Sequence, residues 1–267
     1  MLASLHLWLI PLNPLLASVR PLPGDDVLRT SLSDAERERL AGFTHASARR
    51  ANLLSRGMLR QVLSQHGPLA PADWQLQIGP QGKPALADAQ RDALRLAFNV
   101  SHSGDWLAIV VLCGAQQGQE LGVDIERVRP GVSTDSVMSR FFAPVEVTQL
   151  SSLEDAQRRQ AFFDLWALKE SFIKVTGQGL ACPLDSFAFE ISTLGCEPAP
   201  AGQNVPLAPA NHGLQATEQG VAWNFVALSG AQTQGFGSRF ARLTDEYRVA
   251  LTTCASLNDV PIQSRYW

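Results

Sequence analysis

From Phe163 to Lys174 the chain reads FDLWALKESFIK, and Phe163, Trp166 and Ile173 recur at helical spacing. Glu170 falls on the same side, four residues after Trp166 and four before Lys174. Side chains three and four apart are neighbours on a helix. A carboxylate and an ammonium are therefore expected beside an apolar wall that must pack against another layer. Taken alone, the pattern is also that of an ordinary Glu–Lys pair at the edge of a core helix. The rest of the chain supplies its partners.

The first partner is Leu121-Gly122-Val123-Asp124-Ile125-Glu126. As a strand it points Leu121, Val123 and Ile125 to one face and Gly122, Asp124 and Glu126 to the other. Residues two apart lie about 6.6 Å apart along a strand, so two flexible carboxylates can converge on one divalent cation. Gly122 is expected to leave room beside them for a ligand. Like charges on one face repel unless solvated, paired or metal-bound. An exposed polar strand face is the other reading. All-oxygen ligands such as Asp124, Glu126 and Glu170 suit Mg²⁺ rather than zinc.

The other segments alternate between helix and strand signals, an α+β pattern. A strand is expected over Leu5 to Leu12, followed by a loop with Pro21, Pro23 and Gly24. Ser33-Asp34-Ala35-Glu36 has the form of a capping box, opening helical segments over Glu36 to Phe43 and Ser47 to Gln65. Arg39, Arg49, Arg50, Arg56 and Arg60 punctuate these helices; as a group they offer cations for phosphate, singly they fit a solvated face. Trp74 to Ile78 reads as a strand, then Gly79-Pro80-Gln81-Gly82-Lys83-Pro84 as a tight turn presenting one lysine. It is not a P-loop, since no Ser or Thr follows the lysine. Leu94 to Val100 and Trp106 to Leu112 read as strands, with Ser101 to Asp105 turning between them and His102 in that turn. Gly114 to Gly118 is the best boundary, dividing the chain into 1–116 and 117–267. Beyond it, helices are expected over Thr134 to Arg140, Pro144 to Ser151 and Glu154 to Thr176. Strands are expected over Phe187 to Ile191, Val221 to Leu228, Phe236 to Leu243 and Tyr247 to Cys254. Glu197 to Gly220 reads as a loop, and little pattern follows Ser256. A faint repeat, a helix closed by glycine (Gly67, Gly177) and then strands, favours two related halves.

Composition removes several classes. A net charge of -3 gives no general attraction to nucleic acid. Cys113, Cys182, Cys196 and Cys254 form no C-x-x-C pair, which argues against a zinc or redox motif and for reduced thiols in the cytoplasm. Met1 to Val19 has no basic n-region and is interrupted by Pro11 and Pro14, so neither a leader nor a membrane helix is expected. The polar pieces are Asp124, Glu126, Lys169, Glu170, Lys174, His102, Lys83 and the arginines. With a Mg²⁺ ion they suit cleavage or transfer of a phosphorus-containing group, where positioning and charge neutralisation dominate. A Mg²⁺-dependent nucleotide phosphodiesterase would use the same set.

Three motifs in order carry a resemblance: Gly82-Lys83-Pro84 with Phe98-Asn99-Val100-Ser101-His102-Ser103, then Gly122 to Glu126, then Trp166 to Lys174. They resemble the 4′-phosphopantetheinyl transferases of the Sfp type. The likeness extends to Glu36-Arg37-Glu38-Arg39 before Phe43, to Pro183-Leu184-Asp185-Ser186-Phe187, and to Tyr247 through Ala255. It implies an α+β pseudo-dimer of two similar halves with the active site between them, working as a monomer. It implies an enzyme that moves phosphopantetheine from coenzyme A to a serine of an apo carrier protein, releasing adenosine 3′,5′-bisphosphate. Asp124, Glu126 and Glu170 then correspond to the Mg²⁺ ligands. Lys174 and His102 hold phosphate oxygens, and Arg39 lies near the 3′-phosphate. Gly82, Lys83, Pro84, Asn99, Val100, Ser101 and His102 line the nucleotide pocket. Glu170, directly or through a metal-bound water, is the candidate base for the serine. Other members can carry a basic residue where Glu36 stands, so the grip on the 3′-phosphate is expected to differ here.

Overall fold

A computed structural model describes residues 2–13, 21–79, 81–190, 224–230 and 233–267. The expected loop from Glu197 to Gly220 lies outside them, as do residues 191 and 221–223 of two expected strands. The described elements are β1 (Ser4–Pro11), α1 (Asp25–Thr30), α2 (Asp34–Ala41), α3 (Ala46–Leu63), β2 (Leu76–Ile78), β3 (Pro84–Leu86), α4 (Asp88–Leu94), β4 (Leu96–Ser103) and β5 (Trp106–Cys113). They continue with β6 (Leu121–Arg127), α5 (Thr134–Phe141), α6 (Pro144–Ser151), α7 (Asp155–Thr176), β7 (Ala188–Phe189), β8 (Asn224–Val226), β9 (Leu228–Ser229), β10 (Phe236–Arg242), β11 (Tyr247–Cys254) and β12 (Ile262–Tyr266). The mixture is α+β. The described residues divide into two compact units, one of those up to Gln117 together with Pro261–Trp267, the other of those between Gly118 and Val260.

In the first unit a four-stranded sheet runs β12-β1-β5-β4. β1 is an interior strand, antiparallel to β5 and parallel to β12. Residues after Ser256 therefore have clear structure: Ala255–Leu257 form a short 3₁₀ turn, and β12 pairs Leu5 with Ile262 through Leu9 with Tyr266. The continuous apolar run of β5 is buried along its length, as suits a strand covered on both faces. α3 buries Leu53, Leu54, Met58, Leu59, Val62 and Leu63 against this core. Upstream, the capping box forms as the spacing predicts. The Ser33 hydroxyl accepts the Glu36 amide, and the Glu36 carboxylate accepts the Ser33 amide at 3.0 Å. The sequence reading placed no helix at α4, whose seven residues bury none of their side chains and so carry no apolar stripe to read.

In the second unit the sheet order is β6-β11-β10-β8, and α7 packs along β6, β11 and β10. Ala161, Phe163, Leu165, Leu168 and Phe172 of α7 are buried in this core. β6 departs from the expected half-exposed strand. Leu121, Val123 and Ile125 are buried, and so are Gly122 and Asp124, because α7 covers their face. Gly122 does not leave space for a ligand. A methyl group there would run into the Ser171 carbonyl oxygen and the Val175 amide of α7. The missing side chain lets helix and strand backbones touch. Gly122→Ala should therefore push α7 off β6 and cost about 1–3 kcal/mol, the range for overpacking a core. Urea unfolding with an unchanged midpoint would refute this account.

Candidate active site

Asp124 stands in the middle of β6, opposite Ala250 of β11, and is only 3% exposed. Its Oδ1 accepts a hydrogen bond from Lys174 Nζ at 2.6 Å, tying β6 to α7. Lys174 is thus bonded to the strand, where local spacing had suggested a partnership with Glu170. Glu170 lies one helical turn before Lys174 and is half-buried. Its carboxyl is pushed up to about 7, by burial first and then by the Asp124 charge, against the pull of Lys174, with Glu126 adding a smaller push. The electrostatics therefore join Asp124, Glu126, Glu170 and Lys174 into one cluster inside the second unit. Glu126 is half-buried at the end of β6, with Arg129 3.9 Å from its Oε2. Three carboxylates gathered in this way, two of which make the third costlier to ionise, form a hard, all-oxygen donor set. A small divalent cation is what would relieve that repulsion.

Lys169 is next to Glu170 in sequence but has a different task. It is fully buried, 2.8 Å from Glu146 Oε2, and donates to the carbonyls of Leu184 at 2.7 Å and Phe187 at 2.8 Å. Its ammonium also sits over the Phe187 ring, 4.3 Å from the centroid. Burial pushes Lys169 down and Glu146 up from their ordinary values, and each draws the other back. This pair belongs to the core of the second unit and touches no part of the acidic cluster that the described bonds reveal.

The remaining sequence-derived candidates lie in the first unit. The turn joining β2 to β3 is closed by Gly79 accepting from the Gly82 amide and donating to the Lys83 carbonyl, both at 2.9 Å. Gly82 adopts φ +82°, a conformation that suits glycine, and so lets the turn present a half-buried Lys83 before Pro84. Asn99 and Ser101 are buried in β4, Val100 is half-buried and His102 is exposed. β4 runs to Ser103, and His102 pairs with Leu107 of β5. It is therefore a strand residue at the mouth of a hairpin, and the turn itself is only Gly104 and Asp105. Arg39 is exposed in the last turn of α2.

Known proteins share this framework. A model described as the 4′-phosphopantetheinyl transferase superfamily matches residues 120–250, and one described as 4′-phosphopantetheinyl transferase, N-terminal, matches 26–114. The chain is 32% identical over 226 residues to the 4′-phosphopantetheinyl transferase HetI of Nostoc, covering 82% of this chain and 90% of that protein. The chain belongs to the 4′-phosphopantetheinyl transferase superfamily. Similarity extends to Sfp of Bacillus subtilis, at 35% identity over 174 residues, covering 64% of this chain and 73% of that transferase. It also reaches the human L-aminoadipate-semialdehyde dehydrogenase-phosphopantetheinyl transferase, at 30% over 174 residues, covering 62% of this chain and 55% of that protein. Together these matches make the chain an enzyme with phosphopantetheinyl-transferring activity.

The transferase also contains a grouping that sequence spacing did not disclose. His6 of β1, His66 after α3 and Cys113 of β5 bring potential ligand atoms within 4.8 Å of one another, and such a small cluster could coordinate a divalent metal. Its imidazole and thiol donors are those of a zinc-class ion, not of Mg²⁺. Trp8 Nε1 donates to His66 Nε2 at 2.9 Å, and burial holds His66 down to about 4, so His66 is a neutral acceptor already in use. An ion bound there would have to compete with that bond. Among the described residues the transferase has no helix long and apolar enough to cross a membrane.

Proposed function

We propose that the chain is a transferase of the Sfp type, moving 4′-phosphopantetheine from coenzyme A to a serine of an apo acyl or peptidyl carrier protein. The observation that carries this reading is the cluster of Asp124, Glu126, Glu170 and Lys174, whose charges act on one carboxyl. Asp124, Glu126 and Glu170 would hold Mg²⁺, which when bound supplies charge neutralisation at the pyrophosphate of coenzyme A. The serine oxygen bonds to the phosphorus of phosphopantetheine, and the bond from that phosphorus to adenosine 3′,5′-bisphosphate breaks. Glu170 takes the serine proton as the attack proceeds, since serine is a poor nucleophile while it keeps that proton. Lys174 neutralises charge developing on a phosphate oxygen. In the first unit, His102 holds a further phosphate oxygen, and Gly82, Lys83, Pro84, Asn99, Val100 and Ser101 line the nucleotide site, with Arg39 near the 3′-phosphate. The reading includes a monomer acting in the cytoplasm, built from two copies of one plan. A four-stranded sheet in each unit, accompanied by a long helix, α3 or α7, supports the last point.

Incubation with coenzyme A, Mg²⁺ and an apo acyl carrier protein tests the reaction. The carrier should gain the mass of one phosphopantetheine. Coenzyme A cleavage with an unlabelled carrier would instead favour a nucleotide phosphodiesterase.

A second measurement tests the metal ligands without turnover. In the metal-free chain the raised Glu170 carboxyl binds a proton more tightly when folded than when unfolded. The resulting stability is fully present below the ordinary carboxylate range and is lost as pH rises through about 7. The metal-free chain should therefore melt lower at about pH 8 than at about pH 5 through this group. Mg²⁺ should raise the midpoint at the higher pH and leave it nearly unchanged at the lower. Equal Mg²⁺ shifts at both would argue against carboxylate ligation.

A further inference from the structure

Three hydroxyls lie in the core of the second unit. Ser171 of α7 and Thr252 of β11 are fully buried, and Ser238 of β10 is 1% exposed. Ser171 Oγ stands 2.7 Å from Thr252 Oγ1, which stands 2.8 Å from Ser238 Oγ. Ser171 also donates to the Leu168 carbonyl at 2.8 Å. A carbonyl can only accept, and a hydroxyl carries one proton. The direction of each bond follows. Ser171 gives its proton to Leu168, so Thr252 must donate to Ser171, and Ser238 to Thr252. Three protons meet three acceptors, and the chain of bonds runs one way from the sheet into the helix. Polar groups in a core are costly unless bonded, so packing alone would favour an apolar row at these positions.

The place of these bonds ties them to the acidic cluster. Thr252 is the cross-strand partner of Gly122 on one side and of Ser238 on the other, so all three share the sheet face that α7 covers. Gly122 brings the β6 backbone against the Ser171 carbonyl and the Val175 amide, while the hydroxyls hold Ser171 by its side chain. Ser171 is therefore held from two neighbouring strands, one residue after Glu170 and three before Lys174. Asp124 lies two residues along β6 from Gly122. Apolar packing is non-directional and sets the height of a helix above a sheet, whereas hydrogen bonds also fix its place along the sheet. We propose that the Ser238–Thr252–Ser171 chain is a positioning device. It locks the register of α7 on β6 and β11, holds Glu170 and Lys174 against Asp124 and Glu126, and so sets the affinity of this cluster for a divalent cation. The inference rests on the proposed reading of Asp124, Glu126 and Glu170 as Mg²⁺ ligands.

Thr252→Val keeps the shape of the side chain and removes the middle hydroxyl, whereas Thr252→Ser keeps the hydroxyl. Mg²⁺ titrations of the full chain separate positioning from stability. The dissociation constant is read from the rise of the melting midpoint with Mg²⁺ at one fixed pH, and again from phosphopantetheine transfer. Thr252→Val should bind Mg²⁺ about tenfold more weakly, the scale on which residues that support a metal ligand act. Thr252→Ser should stay within about twofold of the natural chain. A bond that serves stability alone would lower the metal-free midpoint and leave the dissociation constant unchanged. That outcome overturns the proposal, as does a Thr252→Ser chain as weak as Thr252→Val. If Thr252→Val does not fold, Ser171→Ala decides, because it cuts the same bond from the helix side. Mg²⁺ binding about tenfold weaker supports the proposal, and an unchanged constant sinks it. A natural chain whose midpoint ignores Mg²⁺ defeats the reading of the metal ligands. A natural chain that responds, with Thr252→Val responding alike, defeats this inference alone.

Discussion

Asp124→Ala should lower phosphopantetheine transfer by at least about 100-fold, the scale on which one preorganised electrostatic group acts. The change reaches three parts of the cluster together. It removes a proposed Mg²⁺ ligand, releases Lys174 from its 2.6 Å bond, and takes away the charge that helps raise Glu170. Asp124→Asn keeps the shape and loses the charge, so it should fall by a similar factor. The carrier mass gain, measured over a range of Mg²⁺ concentrations, reads both variants. Activity close to that of the natural chain in either would mean that Asp124 serves only to anchor Lys174. The melting behaviour should change as well, since the Asp124 push on Glu170 is gone and the loss of stability from about pH 5 to 8 should shrink.

Lys169→Met should be the most damaging change to stability, at about 3–5 kcal/mol, because it leaves Glu146 as a fully buried charge without its cation. Midpoints should fall by roughly 10 °C for a chain of this size. Glu146 holds more than Lys169. Its two oxygens accept the amides of Ala143 and Phe189, both at 3.0 Å, so the carboxylate joins the start of α6 to β7. Lys169 in turn secures the Leu184 and Phe187 carbonyls. Burial already favours neutral forms of both groups, and the lone Glu146, without the pull of its cation, should then hold a proton more readily still. The variant should therefore be least impaired in acid. A midpoint within about 2 °C of the natural chain would show that the pair contributes little.

What the sequence disclosed follows the range of the interactions involved. The Ser33–Glu36 capping box, the apolar face of α3, the buried run of β5 and the span of β11 depend on neighbours a few residues apart, and spacing reveals them. The candidate cluster was legible in the same way, as an alternating strand and a helical stripe carrying acids. Partners across the core were not. Nothing local says that Lys174 bonds to Asp124, that Lys169 turns to Glu146, or that Gly122 meets α7. These are long-range pairings set by packing. Cys113 illustrates the limit from the other side. With no cysteine near it in sequence it carried no motif, and only the sheet, with the end of α3 packed on it, brings it to His6 and His66. α4 escaped because exposed polar helices lack periodicity, and β12 because residues 262–266 alternate too briefly to distinguish.

The parallel pairing of β1 with β12 has a consequence for how the chain is made. Leu5 leaves the ribosome early, yet its partner Ile262 is polymerised only after the whole second unit. At about 5–20 residues per second, β1 waits roughly 10–50 s with one flank of its backbone unpaired. Trp8 waits equally long for Trp267, whose ring settles 5.7 Å from it and whose amide donates to Leu9 at 3.1 Å. The first unit is thus begun first but completed last, and during that interval one side of β1 stays open to chaperones and to mispairing.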